Sequence, residues 1–163
     1  RKGDGKKRKK GRGTLKTPVV VLVERGGRAR AKVVANVNGS TLKSVLKANV
    51  SPATVLMTDD YNAYRRAGQP FVAHGVVKHS AGEYARGDVH SNTAESYFAL
   101  LKRGIIGSFH NVSKPHLNRY CDEFSWRWNW RDYTDATRTE VGLKAAEGCR
   151  LMLKAPVKKD VAN

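Results

Sequence analysis

The sequence predicts a mixed α/β (α+β) layer fold, and three observations carry that prediction. An unbroken apolar run, Val19 to Val23, is followed across Gly26-Gly27 by a stretch that alternates charged and apolar residues from Arg28 to Val33. A second run with buried-strand character, Thr54 to Thr58, stops at Asp59-Asp60. Helical periodicity then dominates the chain after Asn92. An antiparallel hairpin at the start, strands mixed with helices and helices at the end suit layers of helix packed on sheet.

The elements follow in order. Residues 1–17 are rich in Gly and Lys without apolar periodicity and read as a basic flexible segment. The five apolar residues 19–23 read as a buried central strand. Gly26-Gly27 permits a tight turn, and the alternation after it gives a strand with one wet face. Ser40 or Thr41 is positioned to cap a short helix through Leu42, Val45 and Leu46, which Pro52 ends. The strand at 54–58 leads into a short helix carrying Tyr64, Arg65 and Arg66. Residues 71–79 read as one more strand and residues 80–90 as a loop. Helices are expected over 92–103, 115–131 and 139–154. Three regions result: the basic segment 1–17, a core domain over 18–135, and a C-terminal helix and tail over 136–163.

Charge narrows the function. Thirty-one Lys and Arg against fourteen Asp and Glu give a net charge of +17. Residues 1–12 hold eight of the cations and one acid, Asp4, a net +7, so the rest of the chain carries 17 − 7 = +10. A globular part this basic points to a polyanionic partner, of which nucleic acid is the commonest. Cys121 and Cys149 have no zinc-ligand spacing, and two thiols in a basic protein fit a reducing cytoplasm. No signal peptide and no apolar run of transmembrane length is seen, so no membrane partner is expected. Residue 1 is Arg, which reads as a piece of a longer protein.

Two acids stand where chemistry could use them. Asp59 directly follows a buried strand, which would fix a carboxylate for metal binding; Asp59 or Asp60 could equally cap the short helix that follows. Glu95 lies near the start of the 92–103 helix. With Asn92 it makes an N-x-x-E capping pattern that explains it without chemistry. Yet Asn92, Glu95, Ala99 and Lys102 share one polar stripe with a small residue in its middle, leaving room for an approaching ligand; the alternative is a solvated face. His79, His90 and His110 are at best supports for such a site. In the segment Phe124 to Arg131, three Trp alternate with Arg and Asn. Two-sided core packing explains it best, and a platform for unpaired bases is the sharper alternative.

Taken together, these residues form an ordered series: Thr58-Asp59 with Tyr64, His79-Ser80, His90 through Ser96, Leu101 through Gly104, Phe109-His110, Tyr120, Glu123-Phe124, Arg127, Asn129 and Arg131. The series resembles the transposase domain of an ISXO-like bacterial insertion-sequence family related to the eukaryotic Merlin elements, from about residue 16 to residue 131. The resemblance implies an RNase H-like core, a mixed sheet flanked by helices. It also implies a DDE-type triad holding two Mg²⁺ or Mn²⁺ ions for DNA cleavage and strand transfer of an insertion sequence. Asp59 corresponds to the second acid. Glu95 corresponds to the third, with 95 − 59 − 1 = 35 residues between them, and Asn92 is the alternative third position. Lys102 corresponds to the Lys that follows such triads. Lys102, Arg103, Arg127 and Arg131 are expected on DNA, and a homo-oligomer is expected when the protein assembles on transposon ends and target.

The family's first Asp would lie on a strand ahead of the hairpin. Residues 1–17 contain no strand pattern and Asp4 is not assigned, so the first strand is expected to be missing and the chain inactive as it stands. The family's N-terminal zinc-binding region is not seen either. The rival expectations are a non-catalytic basic module that binds nucleic acid, and an interaction protein in which Glu95 only caps a helix.

Overall fold

The computed structural model describes residues 16–149. Asp4, nearly all of the 1–17 segment and the end of the 139–154 helix lie outside the described residues. The described chain divides into a main unit ending at Asn129 and a second unit beginning at Trp130.

The main unit is built on the hairpin of β1 (Val19–Val23) and β2 (Ala29–Val33), antiparallel with Val19 opposite Val33 and Val23 opposite Ala29. Gly26 turns it with φ at +69°, in the left-handed region that glycine enters without steric cost. β1 is apolar on both faces. On one, Val20, Leu22 and Val34 pack against Leu42 and Leu46 of α1 (Gly39–Asn49). On the other, β1's Val19, Val21 and Val23 and β2's Ala29 and Ala31 pack with Tyr97, Leu101, Cys121 and Phe124. These come from α3 (Asn92–Arg103) and α4 (Leu117–Asn129). The continuous apolar run of β1 follows from this two-sided burial.

The outer edge of β2 is closed by side chains of α4. Asn129 Oδ1 accepts from the Ala29 N–H at 2.6 Å and its Nδ2 donates to the Ala29 carbonyl at 3.1 Å. Ser125 Oγ accepts from Ala31 N at 3.1 Å and Asn118 Oδ1 from Val33 N at 3.3 Å. Strand N–H groups pointing outward recur every second residue, and the helix supplies an acceptor for each, covering the edge as a further strand would. By the same register, Val19, Val21 and Val23 turn their backbone groups to the hairpin's other edge. No strand pairs with them among the described residues.

A second, parallel pair joins β3 (Val55–Asp59) to β4 (Ala73–Val77), with Asp59 opposite Val77. The short α2 (Ala63–Ala67) between them packs on α1. Within the stretch expected as a loop, β5 (Ala85–Arg86) and β6 (Val89–His90) form a minimal hairpin. β6 lies against β4, where Gly75 leaves room for Val89: a Cβ there would come within 2.8 Å of a Val89 methyl. One side chain crosses from the hairpin to the parallel pair, the Arg25 guanidinium, which reaches Met57 Sδ at 3.0 Å and the Asp88 carbonyl at 2.7 Å.

After Arg103 the chain winds wider through Gly104–Ser108, a π-helical turn. Gly104 faces the Phe124 ring so closely that a Cβ would overlap it. In the second unit, α5 (Asp135–Ala146) is capped by Thr134, whose Oγ1 accepts from Thr137 N at 3.3 Å. No helix among the described residues is long and apolar enough to cross a membrane.

The mixed α/β reading stands, in small paired sheets with five α-helices. The cap of α1 is Asn38, whose Oδ1 accepts from Thr41 N at 2.9 Å, rather than Ser40 or Thr41. Asn38 takes the place because its backbone is extended and its side chain reaches the third residue on.

Candidate active site

β3 ends at Asp59 because the next residues turn. Asp59 Oδ1 accepts from the Tyr61 N–H at 3.1 Å, the local turn that Asp side chains favour. Asp59 therefore does not cap α2, whose N-cap is Asn62 without a side-chain bond. Behind it, Thr58 is buried. Its hydroxyl donates to the Asp59 carbonyl at 2.9 Å and lies 2.8 Å from His74 Nε2 on β4. With the hydroxyl proton committed to the carbonyl, His74 is the donor, a neutral ring protonated on Nε2. Burial pushes the His74 pKa below its usual value, which agrees with that state. The ring rests on Gly68, where a Cβ would overlap Nδ1. On the far side stands Tyr64, its phenol pushed up to about 12 by burial first, then by the Asp59 carboxylate and Tyr61.

The residues joining this strand end to α3 are His79 and Ser80, in a 3₁₀ turn spanning His79–Ala81. Ser80 Oγ donates to Asp60 Oδ2. His79 Nε2 lies 3.1 Å from Glu95 Oε1 and 2.9 Å from Ser91 Oγ, and the Ser91 hydroxyl donates to Glu95 Oε1 at 3.1 Å. One dipeptide thus holds the carboxylate after β3 with one side chain and the carboxylate on α3 with the next.

The capping arrangement expected of Asn92 and Glu95 does not form. Ser91 is the N-cap, Asn92 is the first helical residue, and no side chain caps the helix. Glu95 turns to His79 and Ser91 instead of to the backbone. Asn92, Glu95, Ala99 and Lys102 are all exposed while Tyr97 and Leu101 are buried, so the polar stripe lies on the open side of α3. Lys102 stands two turns beyond Glu95, about 10 Å along the axis, and Arg103 is exposed beside it.

The other expected DNA-binding residues are Arg127, on α4, and Arg131. Arg127 is drawn onto its own helix by Glu123 at 2.9 Å and lies 5.8 Å from the Phe124 ring centre. Exposed pairs of this kind contribute only about 0.3–0.5 kcal/mol. Arg131 belongs to the second unit, 3.6 Å from Asp132. Trp128 packs in the core with Tyr97. His90 Nδ1 is buried without a hydrogen-bond partner among the described residues. His110 sits past the π-helical turn, 3.2 Å from the Ile106 carbonyl. Cys121 is buried and its thiol pushed up to about 11 by that burial and by Asp122, so it is no nucleophile.

Asp59, Asp60 and Glu95 offer hard oxygen donors of the kind Mg²⁺ and Mn²⁺ prefer. Among the described residues, however, no three His, Cys, Asp or Glu side chains converge to hold an ion. The donor type fits a divalent metal; the donor number does not complete a site.

The geometry thus offers acids at a strand end and on an exposed helical stripe of a basic α/β domain. The family is given by comparison: residues 1–129 match the ISXO2-like transposase domain, and the chain belongs to that family. It is 35% identical over 124 residues to an uncharacterized protein in transposable element ISH50 of Halobacterium salinarum, covering 72% of this chain and 42% of that one. It is also 27% identical over 97 residues to an uncharacterized transposase-like protein of Haemophilus influenzae, covering 60% of this chain and 77% of that one. The chain therefore spans less than half the length of the Halobacterium relative. No solved structure matches it at a significant level.

Proposed function

We propose that this chain is the catalytic part of a DDE-type transposase that cuts DNA and transfers a strand of an insertion sequence, with Mg²⁺ or Mn²⁺ as cofactor. Asp59 serves as the second acid and Glu95 as the third. Asn92 is the alternative third position, on the same open stripe. Lys102 and Arg103 hold the phosphate backbone as positive charges, and the protein works as a homo-oligomer on DNA. The observation that supports this reading best is the His79-Ser80 dipeptide, which ties Asp60, the neighbour of Asp59, to Glu95 on α3 across one turn.

The ligand set is completed, on this reading, by a carboxylate on a further strand lying between β1 and β3. The open edge of β1 and the lone pairing of β3 with β4 support it, as does an RNase H-like sheet in which one strand would join the two pairs. Without that strand, Asp59 and Glu95 are too few to hold two ions. The test is a nicking and strand-transfer assay in Mn²⁺ on this chain and on a longer form that supplies the strand. Activity in the longer form alone, lost in Glu95→Gln, is the expected result. Activity in the longer form that survives both Glu95→Gln and Asn92→Ala would overturn the assignment of the third acid.

The incomplete donor set favours one second reading, a basic domain that binds nucleic acid without cutting it. A longer form that binds DNA tightly and never nicks it would establish that reading instead.

A further inference from the structure

Several exposed cations of the described chain lie beside a carboxylate: Arg86 with Glu83, Arg127 with Glu123, Arg131 with Asp132 and Lys144 with Glu140. Residues 25–58 behave differently. They hold six Lys or Arg and no Asp or Glu. Five of the six, Arg28, Arg30, Lys32, Lys43 and Lys47, are exposed on one side of the molecule, and none has a carboxylate partner among the described residues.

Their common side follows from packing. Ala29 and Ala31 face α3 and α4, so Arg28, Arg30 and Lys32 alternate onto the opposite face of the hairpin, the face that α1 covers. There the Arg30 guanidinium donates to Asn49 Oδ1 at 2.7 Å, which seats the β2 row against the last turn of α1 while leaving its charge uncompensated. α1 has no acid of its own, and its Lys43 and Lys47 lie one turn apart on its exposed surface. α2, packed on α1, adds exposed Arg65 and Arg66, again without an acid in the helix. Glu24 borders this field at the hairpin turn, and Asp59 and Asp60 border it where α2 begins.

Self-repulsion in such a patch costs stability, and no ion pair of Arg28, Arg30, Lys32, Lys43 or Lys47 offsets it among the described residues. We propose that the α1–β2 face is a second DNA-contact surface. It holds the phosphate backbone of a duplex by charge alone, on the side of the hairpin away from α3 and its Glu95–Lys102 stripe. Duplex rather than single-stranded DNA follows from composition: β2 and α1 contain no Phe, Tyr or Trp, so the α1–β2 surface itself offers unpaired bases no ring to stack on. Absence of stacking and of any fixed acceptor also makes the contact independent of sequence. The proposal rests on the reading of the chain as a DNA enzyme but uses none of its acids.

The experiment measures binding of a fluorescent 30-base-pair duplex of arbitrary sequence by anisotropy across a salt series. It compares the unchanged chain, a variant with Arg28, Lys32, Lys43 and Lys47 all replaced by Gln, and Lys102→Gln/Arg103→Gln. Arg30 is kept because it supports Asn49. Each lost phosphate contact lowers the slope of log affinity against log salt by about 0.9, so the four-site variant should lose about 3.6 from the slope. The Lys102/Arg103 pair should cost its own smaller, additive share. Thermal melting of the four-site variant, expected at or above that of the unchanged chain because repulsion is relieved, separates lost contacts from lost folding. An unchanged slope in a folded four-site variant overturns the proposal. So does an equal four-site loss on a single-stranded oligonucleotide, which would mean that the face does not select duplex. Nicking by a longer form is a separate readout, so failure here leaves the catalytic reading untouched, and failure there leaves this one.

Discussion

Along the outer edge of β2 every second N–H finds a side chain of α4, whereas along the opposite edge of the same hairpin Val19, Val21 and Val23 meet no strand among the described residues. The first edge is closed from within the chain. Asn129 imitates a strand partner in both directions, donor and acceptor on one residue, and Tyr97 fixes Ser125 from below through a 2.9 Å bond to its hydroxyl. The second edge carries β1, an unbroken apolar strand. The difference teaches how the hairpin is held: with α3 and α4 it is closed by side chains of its own chain, while its β1 edge has no strand partner among the described residues.

That contrast is sharpest at Asn129. Replacement by Ala leaves both polar groups of Ala29 without partners at a part-buried position, and should cost about 2–3 kcal/mol, read as a shifted denaturant midpoint at unchanged slope. Asn118, exposed and bonded at 3.3 Å, should cost under about 0.5 kcal/mol on the same change. Equal losses at the two positions would mean that α4 is held by its apolar face alone and that the edge contacts are incidental.

On the open side, the matching test is Gly68. A methyl there overlaps His74, so Gly68→Ala should cost about 1–3 kcal/mol by overpacking. The loss should largely vanish in a His74→Ala background, where the ring is gone. Additive costs in that double-mutant cycle would show that the ring is not what Gly68 accommodates.

The smallest expected effect is a pH dependence. The folded state holds His74 neutral and depresses its pKa below 6.5, so the unfolded chain takes up the proton more readily. The contribution is fully present above 6.5 and is lost as pH falls from there toward the lower folded-state value. Melting temperature should therefore drop between pH 7.5 and pH 5, and drop less in His74→Asn. An identical drop in both proteins would assign the acid sensitivity to other groups.

How much of this was legible follows from what each feature depends on. The hairpin was, because a five-residue apolar run and a charged–apolar alternation are signals that local sequence carries. So was α3, whose bounds Asn92–Arg103 follow from its periodicity and the Gly104 after it. The β5–β6 hairpin was not: strands of two residues have no period to read, and only Gly87, with φ at +57°, marks the turn. In the site, the polar stripe of α3 was readable from spacing alone. The partner of Glu95 was not, because His79 reaches it through a tertiary contact, and an N-x-x-E pattern looks the same whether or not the cap forms. The edge-closing roles of Asn118, Ser125 and Asn129 were equally hidden. Their spacing matches the outward N–H groups of a strand that lies 85 to 100 residues earlier.

That separation has a consequence for the protein as it is made. Synthesis proceeds at about 5–20 residues per second, so the hairpin waits roughly 5–20 s between its own emergence and that of the helix that covers it. Throughout that interval a flat, β-branched ribbon offers hydrogen bonds along both margins, the arrangement most prone to pair with a neighbouring nascent chain. The charges of Arg28, Arg30 and Lys32 are already in place from the moment the hairpin forms, and like charge on adjoining ribbons keeps them apart until α4 arrives.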